Sequence, residues 1–299
     1  MSAPVLFDRE LLRRRLARAA SIGAADFLLV RAAEDLADRL RTVLRPFGSA
    51  LDLGTPGPQA VEALRADGRP ERIVQAAPIR AALARGVSGF VADPALLAAR
   101  RESVDLIVSL LALQTVDDLP GTLIQARQAL RPDGLFVGCL LGGATLQELR
   151  QSFMQAESEI EGGASPRVAP FADVRDAGAL LQRAGFALPV TDIDTVVVRH
   201  ASPFGLMRDL RAMGGANALV ARRREPLRRA TLLRAAEIYA ERFSDPDGKV
   251  RATFEIVWLS GWAPHASQQK PLRPGTAAMR LADALRTEEK SAGEKPGEA

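Results

Sequence analysis

Residues 50–58 read Ala50-Leu51-Asp52-Leu53-Gly54-Thr55-Pro56-Gly57-Pro58. A short apolar run closes on glycine, and the residues from about 58 to 66 then take helical spacing. The alternation continues along the chain. Arg72-Ile73-Val74-Gln75 precedes an expected helix over about 78–85, and Ser88-Gly89-Phe90-Val91-Ala92-Asp93 follows it. Val104-Asp105-Leu106-Ile107-Val108-Ser109 leads into an expected helix over 119–130. Arg131-Pro132-Asp133-Gly134 is expected to break that helix before a strand over Leu135–Leu141. Strands alternating with helices predict an α/β fold: βαβ units forming a central, mostly parallel sheet with helices on both faces. Ligands of such sheets lie beyond the carboxyl ends of the strands, where strand order reverses. The loops after Leu53, Gln75, Ala92 and Ser109 are therefore the expected rim of a pocket.

Outside this repeat, residues 7–45 are helical in pattern. Helices are also expected over 145–160, 173–184, 203–213 and 226–242, and strands over 190–198 and 253–259. The chain thus divides into an N-terminal helical extension (1–45), an α/β domain (46–263) with a helical insertion at about 203–242, and a C-terminal tail (264–299). The run from Thr287 to Gly297 has a disorder-prone composition, so the tail is expected to be partly disordered.

Bulk properties narrow the classes. With 299 residues, 47% of them hydrophobic, the chain can bury a sizeable core. One cysteine, Cys139, excludes an intrachain disulfide and fits a reducing compartment. No apolar run reaches the roughly 18 residues of a membrane span. Arg13-Arg14-Arg15 has acids before it and no apolar stretch after it, so it reads as a surface helix rather than a leader. These points predict a cytoplasmic location. The net charge of +4 permits an acidic partner without requiring one.

The strand–Asp-x-Gly–helix opening, Asp93 after the third strand and Arg131-Pro132-Asp133-Gly134 before the fifth together resemble a class I S-adenosylmethionine (SAM) dependent methyltransferase, a Rossmann-like fold. Further segments stand in order. They are Phe7-Asp8-Arg9, Asp117-Asp118-Leu119-Pro120-Gly121, Gly142-Gly143-x-Thr145-Leu146-x-Glu148-Leu149-Arg150, Glu161-Gly162-Gly163-x-Ser165-Pro166, Pro170-Phe171, Arg183-Ala184-Gly185-Phe186, Leu210-x-x-Met213-Gly214 and Gly261-Trp262. From about residue 7 to 280 this series resembles the mitochondrial complex I assembly factor five family and its bacterial relatives. It is more distantly similar to the malonyl-carrier-protein methyltransferase of biotin synthesis. The resemblance implies a SAM-binding fold that modifies or chaperones a complex I subunit. It therefore implies a protein partner, with any membrane association occurring through that partner. The eukaryotic members are associated with arginine hydroxylation rather than methylation.

The resemblance also places a cofactor pocket and shows it damaged. Asp52, Gly54 and Asp93 match family positions, Leu96 matches an apolar wall position, and Gly57 supplies a glycine one place out of register. Pro56 and Pro58 replace two glycines; each fixes φ near −65° and removes an N–H donor. The acid that would take the ribose hydroxyls falls at Ala77. Gln114-Thr115 stands where relatives carry His-Trp, and Ala144 replaces a polar residue.

Each residue also has a plainer use. Asp52 and Asp93 could cap turns. Thr145 and Glu148 have capping-box spacing, and the flanking glycines could instead line the substrate side of the cleft. Cys139, inside a core strand, reads as an inert small hydrophobe. Arg222-Arg223-Arg224 with Arg228-Arg229 is either a solvated face or a dock for an acidic protein. Sparse aromatics argue against nucleic acid. His200 and His265 lack ligand-spaced neighbours, so no metal site is expected. No Ser/His/Asp set or Walker loop is present, and no catalytic residue is assigned. Two functions follow: a SAM-using enzyme with a rebuilt pocket, or a catalytically inactive assembly protein that keeps the fold.

Overall fold

The computed structural model describes residues 5–269 together with Asp283 and Thr287. Met1–Pro264 forms one compact unit and His265–Ala299 a second. Within the second, His265 Nδ1 lies 2.7 Å from the Ser267 hydroxyl. The disorder expected of the tail falls, from residue 270 on, outside the described residues except Asp283 and Thr287.

The first unit is built on a seven-stranded sheet in the order β3-β2-β1-β4-β5-β7-β6. Its strands are β1 (Ser49–Leu53), β2 (Arg72–Ala77), β3 (Ser88–Val91), β4 (Val104–Leu110), β5 (Leu130–Leu141), β6 (Ala187–His200) and β7 (Val250–Trp262). The first five pair in parallel, whereas β7 runs antiparallel between β5 and β6. The chain leaves β1 toward β2 and β3, then returns to place β4 on the other side of β1. The ends of β1 and β4 are therefore the point of reversal where a parallel sheet opens a cleft.

Helices cover both faces: α1 (Arg9–Ile22), α2 (Phe27–Arg41), α3 (Gln59–Asp67), α4 (Leu119–Ala129), α5 (Gln147–Glu161), α6 (Val174–Arg183), α7 (Pro203–Ala212) and α8 (Arg229–Phe243). On one face Leu28, Ala32, Leu36 and Leu40 of α2, at spacings of four, pack with Leu64 of α3, Phe153 of α5 and Trp258 of β7. On the other, Leu123 and Ala126 of α4 and Ala177 and Leu181 of α6 cover Ile107 and Phe136. A fully buried leucine such as Leu36 contributes about 1.5–3 kcal/mol by burial. The guanidinium of Arg39 lies 4.5 Å over the Trp258 ring and also pairs with Asp192 of β6.

The elements follow the sequence expectations with three corrections. The helix expected over 78–85 is only a 3₁₀ turn, Arg80–Ala82. Proline disfavours helical backbone at the residue before it, and the Gln75 side chain takes the polar groups a helix would use. Its Nε2 donates to Ala82 O at 3.1 Å, and its Oε1 accepts from Ala84 N at 2.7 Å. The break expected at Arg131–Gly134 is instead the start of β5, with Asp133 at φ +62°. The capping box does not form. The Thr145 hydroxyl accepts from Glu255 N at 3.0 Å, and Glu148 accepts from the Thr253 hydroxyl at 2.5 Å and its N–H at 3.2 Å. Both side chains bind the start of α5 to β7, so this helix begins instead behind Leu146 in the left-handed region.

Candidate functional site

A cavity of about 570 Å³ opens at the reversal point, within the range of roughly 300–1,000 Å³ usual for small-molecule sites. The strand ends supply its floor: Gly54 and Pro56 after β1, Pro78 after β2, Asp93 and Pro94 after β3, and Leu111, Ala112, Gln114 and Thr115 after β4. Its roof comes from α1, from Leu149 and Phe153 of α5, and from α7 with the turn that follows it. The wall is mainly apolar, with Leu12, Leu16, Met207, Leu210 and Met213 facing in from the roof.

Gly54 is needed where it stands. Its φ is +79°, and a Cβ there would lie 2.9 Å from the Pro94 side chain and 3.2 Å from Ala112. Asp52, just before it, is fully buried and stands behind the wall rather than in it. Its carboxylate accepts from the Thr55 hydroxyl at 2.5 Å and from Gln75 Nε2 at 3.1 Å. Thr55 in turn accepts from Leu110 N at 3.1 Å, so Asp52 fastens the loop to β2 and β4. Burial raises the Asp52 pKa to about 7 against the pull of those hydrogen bonds. Gly57 is buried and gives its carbonyl to Gln75. It does not line the cavity, nor does Leu96, whose side chain is 72% exposed.

Asp93 does line the cavity, and it has partners that sequence reading missed. Arg9 and Arg13 reach it from α1 at 3.5 and 3.3 Å. The signal was available, since two arginines four apart share one helix face. The segment before α1 is fastened across the cleft: Asp117 accepts from the N–H groups of Leu6 and Phe7 at 3.0 and 3.1 Å. Phe7-Asp8-Arg9 and Asp117, far apart in sequence, therefore meet at the cavity mouth. Asp8 caps α1 through Leu11 N at 3.0 Å and pairs with Arg222 at 3.1 Å.

The positions expected to depart from the family pattern fall in two groups. Pro56, Gln114 and Thr115 are in the wall. Gln114 Nε2 donates to Leu111 O and the Thr115 hydroxyl to Ala112 O, each within its own turn. Ala77 is fully buried, clustered with Ile79 and Ala82 beneath Leu16 of α1. Asp93 is the single acid of the cavity wall among the described residues. The site thus combines room, a glycine that allows close approach of the backbone, and one acid.

The glycine loops do different work. A Cβ on Gly142 would meet Glu255 and Val257 of β7 within 2.6 Å, so this residue serves close packing. Leu146 and Leu149, just beyond it, do line the cavity. Glu157 of α5 is fully buried and accepts from Ser165 N at 2.6 Å and Arg167 Nε at 2.7 Å, holding the 165–171 segment against the cleft. Those partners keep its pKa below the ordinary value despite burial, which opposes them. The basic patch is partly spent on the chain itself: Arg223 pairs with Glu161 and Glu225, while Arg224, Arg228 and Arg229 are exposed. Cys139 is fully buried, and burial pushes its thiol up to about 12. Burial lowers the His200 pKa, partly offset by Asp209 at 3.4 Å. Among the described residues no group of three His, Cys, Asp or Glu side chains is placed to hold a metal, and no helix is long and apolar enough to cross a membrane.

Comparison with known proteins agrees with the fold. A family model described as a methyltransferase domain matches residues 26–189. The chain is 38% identical over 287 residues to the arginine-hydroxylase NDUFAF5, mitochondrial, of Danio rerio, covering 93% of this chain and 89% of that protein. Identity to the Homo sapiens protein of the same name is 37%, covering 93% and 83%. A malonyl-[acyl-carrier protein] O-methyltransferase of Xylella fastidiosa (strain M23) is 40% identical over 162 residues, covering 54% of this chain and 52% of that enzyme. The solved YcgJ protein of Bacillus subtilis superposes with a TM-score of 0.53 at 11% identity, covering 78% of this chain and 99% of that one. Because the relatives that span most of the chain are named mitochondrial, the cytoplasmic expectation is overturned.

Proposed function

This chain belongs to the methyltransferase-domain family, in the branch of the arginine-hydroxylase NDUFAF5 proteins, and from that premise we propose that it serves respiratory complex I assembly by modifying a protein subunit with a weakly held adenosyl cosubstrate. The carrying observation is the cavity at the sheet's point of reversal, which keeps Gly54 and Asp93 in its wall. Asp93 would accept from an adenine amino group, and Gly54 allows close approach of the backbone. SAM, when bound, would supply a transferable methyl group. This chain's residues would hold and orient it and shield it from water, with the apolar roof of α1, α5 and α7 providing the shield. The partner is a complex I subunit, and membrane association would come through that partner.

A second reading, a scaffold without chemistry, is favoured by the missing ribose acid, by Pro56 and Pro58, and by the hold of Arg9 and Arg13 on Asp93. One experiment separates the two. Cells lacking the protein are complemented with wild type or with Asp93→Ala. Assembled complex I is then measured, and its subunits are examined for methyl or hydroxyl additions by mass spectrometry. Loss of both assembly and a modification in the Asp93→Ala cells supports the enzyme. Full assembly without any modification supports the scaffold, and normal assembly in the cells lacking the protein rules out both.

A further inference from the structure

A basic surface adjoins the cavity mouth. Asp8 N donates to Ala218 O and Val220 N to Leu6 O, both at 2.9 Å, so the segment before α1 and residues 218–220 run together there. Phe7, Ala218 and Leu227 line the cavity itself. Arg222, Arg223 and Arg224 leave this junction in a row, and Arg228 and Arg229 follow. The acids beside them are already engaged. Arg222 holds Asp8 at 3.1 Å, Arg223 pairs with Glu161 and Glu225, and Arg14 lies 3.8 Å from Glu10. Arg18 (one turn along α1 from Arg14), Arg224, Arg228 and Arg229 are exposed and have no ion pair among the described residues. Gathering these cations is locally unfavourable. Arg228 and Arg229 stand at the start of α8, where the helix dipole disfavours positive charge, and no acid in its first turn offsets them. Exposed apolar side chains lie in the same junction: Val5, Leu6 and Val220.

We infer that this surface docks the substrate protein: acidic residues flanking the modified position lie on Arg224, Arg228 and Arg229, with Arg18 adding its charge, while the modified side chain enters the cavity. Charge complementarity selects an acidic segment, and the planar guanidinium fork grips a carboxylate through paired hydrogen bonds. The exposed Val5, Leu6 and Val220 give the segment's apolar side chains a place to lie. Leu227 in the cavity wall is next in sequence to Arg228, and an extended peptide advances about 3.3–3.6 Å per residue, so a flank only a few residues from the modified position reaches these arginines. Single-stranded nucleic acid would call for aromatic faces under its bases, and residues 218–229 contain no aromatic residue. The inference rests on the reading above, that the chain modifies a protein subunit, and adds the charge of the segment it selects.

Fluorescence anisotropy on the full chain tests it with two labelled peptides of equal length, each with arginine at its centre, one flanked by glutamates and the other by glutamines. The glutamate peptide is expected to bind about tenfold more tightly or better, and to lose that advantage as salt rises. Arg224→Glu/Arg228→Glu/Arg229→Glu should erase the preference at an unchanged melting temperature, because the replaced groups are exposed and have no ion pair among the described residues. The corresponding triple change to glutamine should weaken the preference less, in the same direction. Arg175→Glu/Arg183→Glu, both exposed on α6, should leave it within about twofold. Equal binding of the two peptides, or a preference that survives the triple reversal, overturns the inference. So does an equal loss in the α6 pair, which marks net charge alone. Binding of phosphatidylglycerol vesicles or a single-stranded oligonucleotide through the same arginines, with no preference between the peptides, assigns the surface to a membrane or a nucleic acid and also overturns it. Complemented cells keep this apart from the enzyme reading. If wild type and the triple reversal restore subunit modification and complex I equally, docking is overturned and the enzyme reading stands. If the peptide preference holds while wild type restores assembly without modification, the dock stands and the enzyme reading fails.

Discussion

Replacing Asp52 by Asn should remove a large part of the protein's pH-dependent stability. The carboxyl is fully buried, takes side-chain hydrogen bonds from Thr55 and Gln75 and a backbone one from Thr55, and has no ion pair among the described residues. Burial lifts its pKa from 3.8 to about 7, so folding favours the neutral acid. Below the unfolded value both states are protonated and the contribution is complete. As pH rises from about 4 to about 7 the unfolded chain ionises first, and stability is lost progressively. Above the folded value both states are ionised and the loss is finished. A rise of that size corresponds to on the order of 4 kcal/mol between pH 4 and pH 8. Asparagine cannot ionise, although its amide would face the Gln75 donor at a fixed cost independent of pH. Urea unfolding of wild type and Asp52→Asn at pH 4, 6 and 8 should show the variant less stable at pH 4 and the difference shrinking or reversing by pH 8. A difference that stays constant across that range would refute the assignment of a raised pKa to Asp52.

Three further outcomes are expected. Gly214→Ala places a methyl group 2.9 Å from the Leu16 side chain and 3.2 Å from its Cα at a φ of +73°, so thermal unfolding should show a loss of about 1–3 kcal/mol with the cavity roof loosened. Ala77→Asp would bury a carboxylate against Ile79, Ala82 and Leu16 rather than present it to a ribose; denaturation should show a loss of about 2 kcal/mol or more, with no gain in adenosyl affinity by calorimetry. Cys139 should resist a thiol reagent at pH 8 in the native state and react only as denaturant unfolds the chain, followed by mass spectrometry.

The parallel core was legible because largely buried strands such as Val104–Leu110 read as short, mainly apolar runs, and helix α2 keeps its apolar residues four apart. Two of the three failures share one cause, a side chain bonding far from its expected partner. Gln75 consumed the polar groups of the expected helix after Pro78, and Thr145 and Glu148 looked like a local cap but reach β7. The site was half legible. Gly54 and Asp93 line the cavity, but spacing could not reveal that Asp52 faces inward behind the wall or that Leu96 faces solvent. The roof was legible only in the four-residue spacing of Arg9 and Arg13. Arg13 and Arg15 read as part of a basic surface helix, and only the placement of α1 over the strand ends brings them with Arg9 to the cavity, and Arg9 and Arg13 to Asp93.

The most direct test is a calorimetric titration of the full chain with SAM, in wild type and Asp93→Ala. A missing ribose acid forfeits about 1.5–3 kcal/mol per charged hydrogen bond, roughly ten- to a hundredfold each. Wild type should therefore bind with a Kd of about 0.1–1 mM, and Asp93→Ala at least tenfold more weakly. A Kd below about 10 µM, no binding at about 5 mM, or equal affinity in the two proteins would show that the cleft does not work as described.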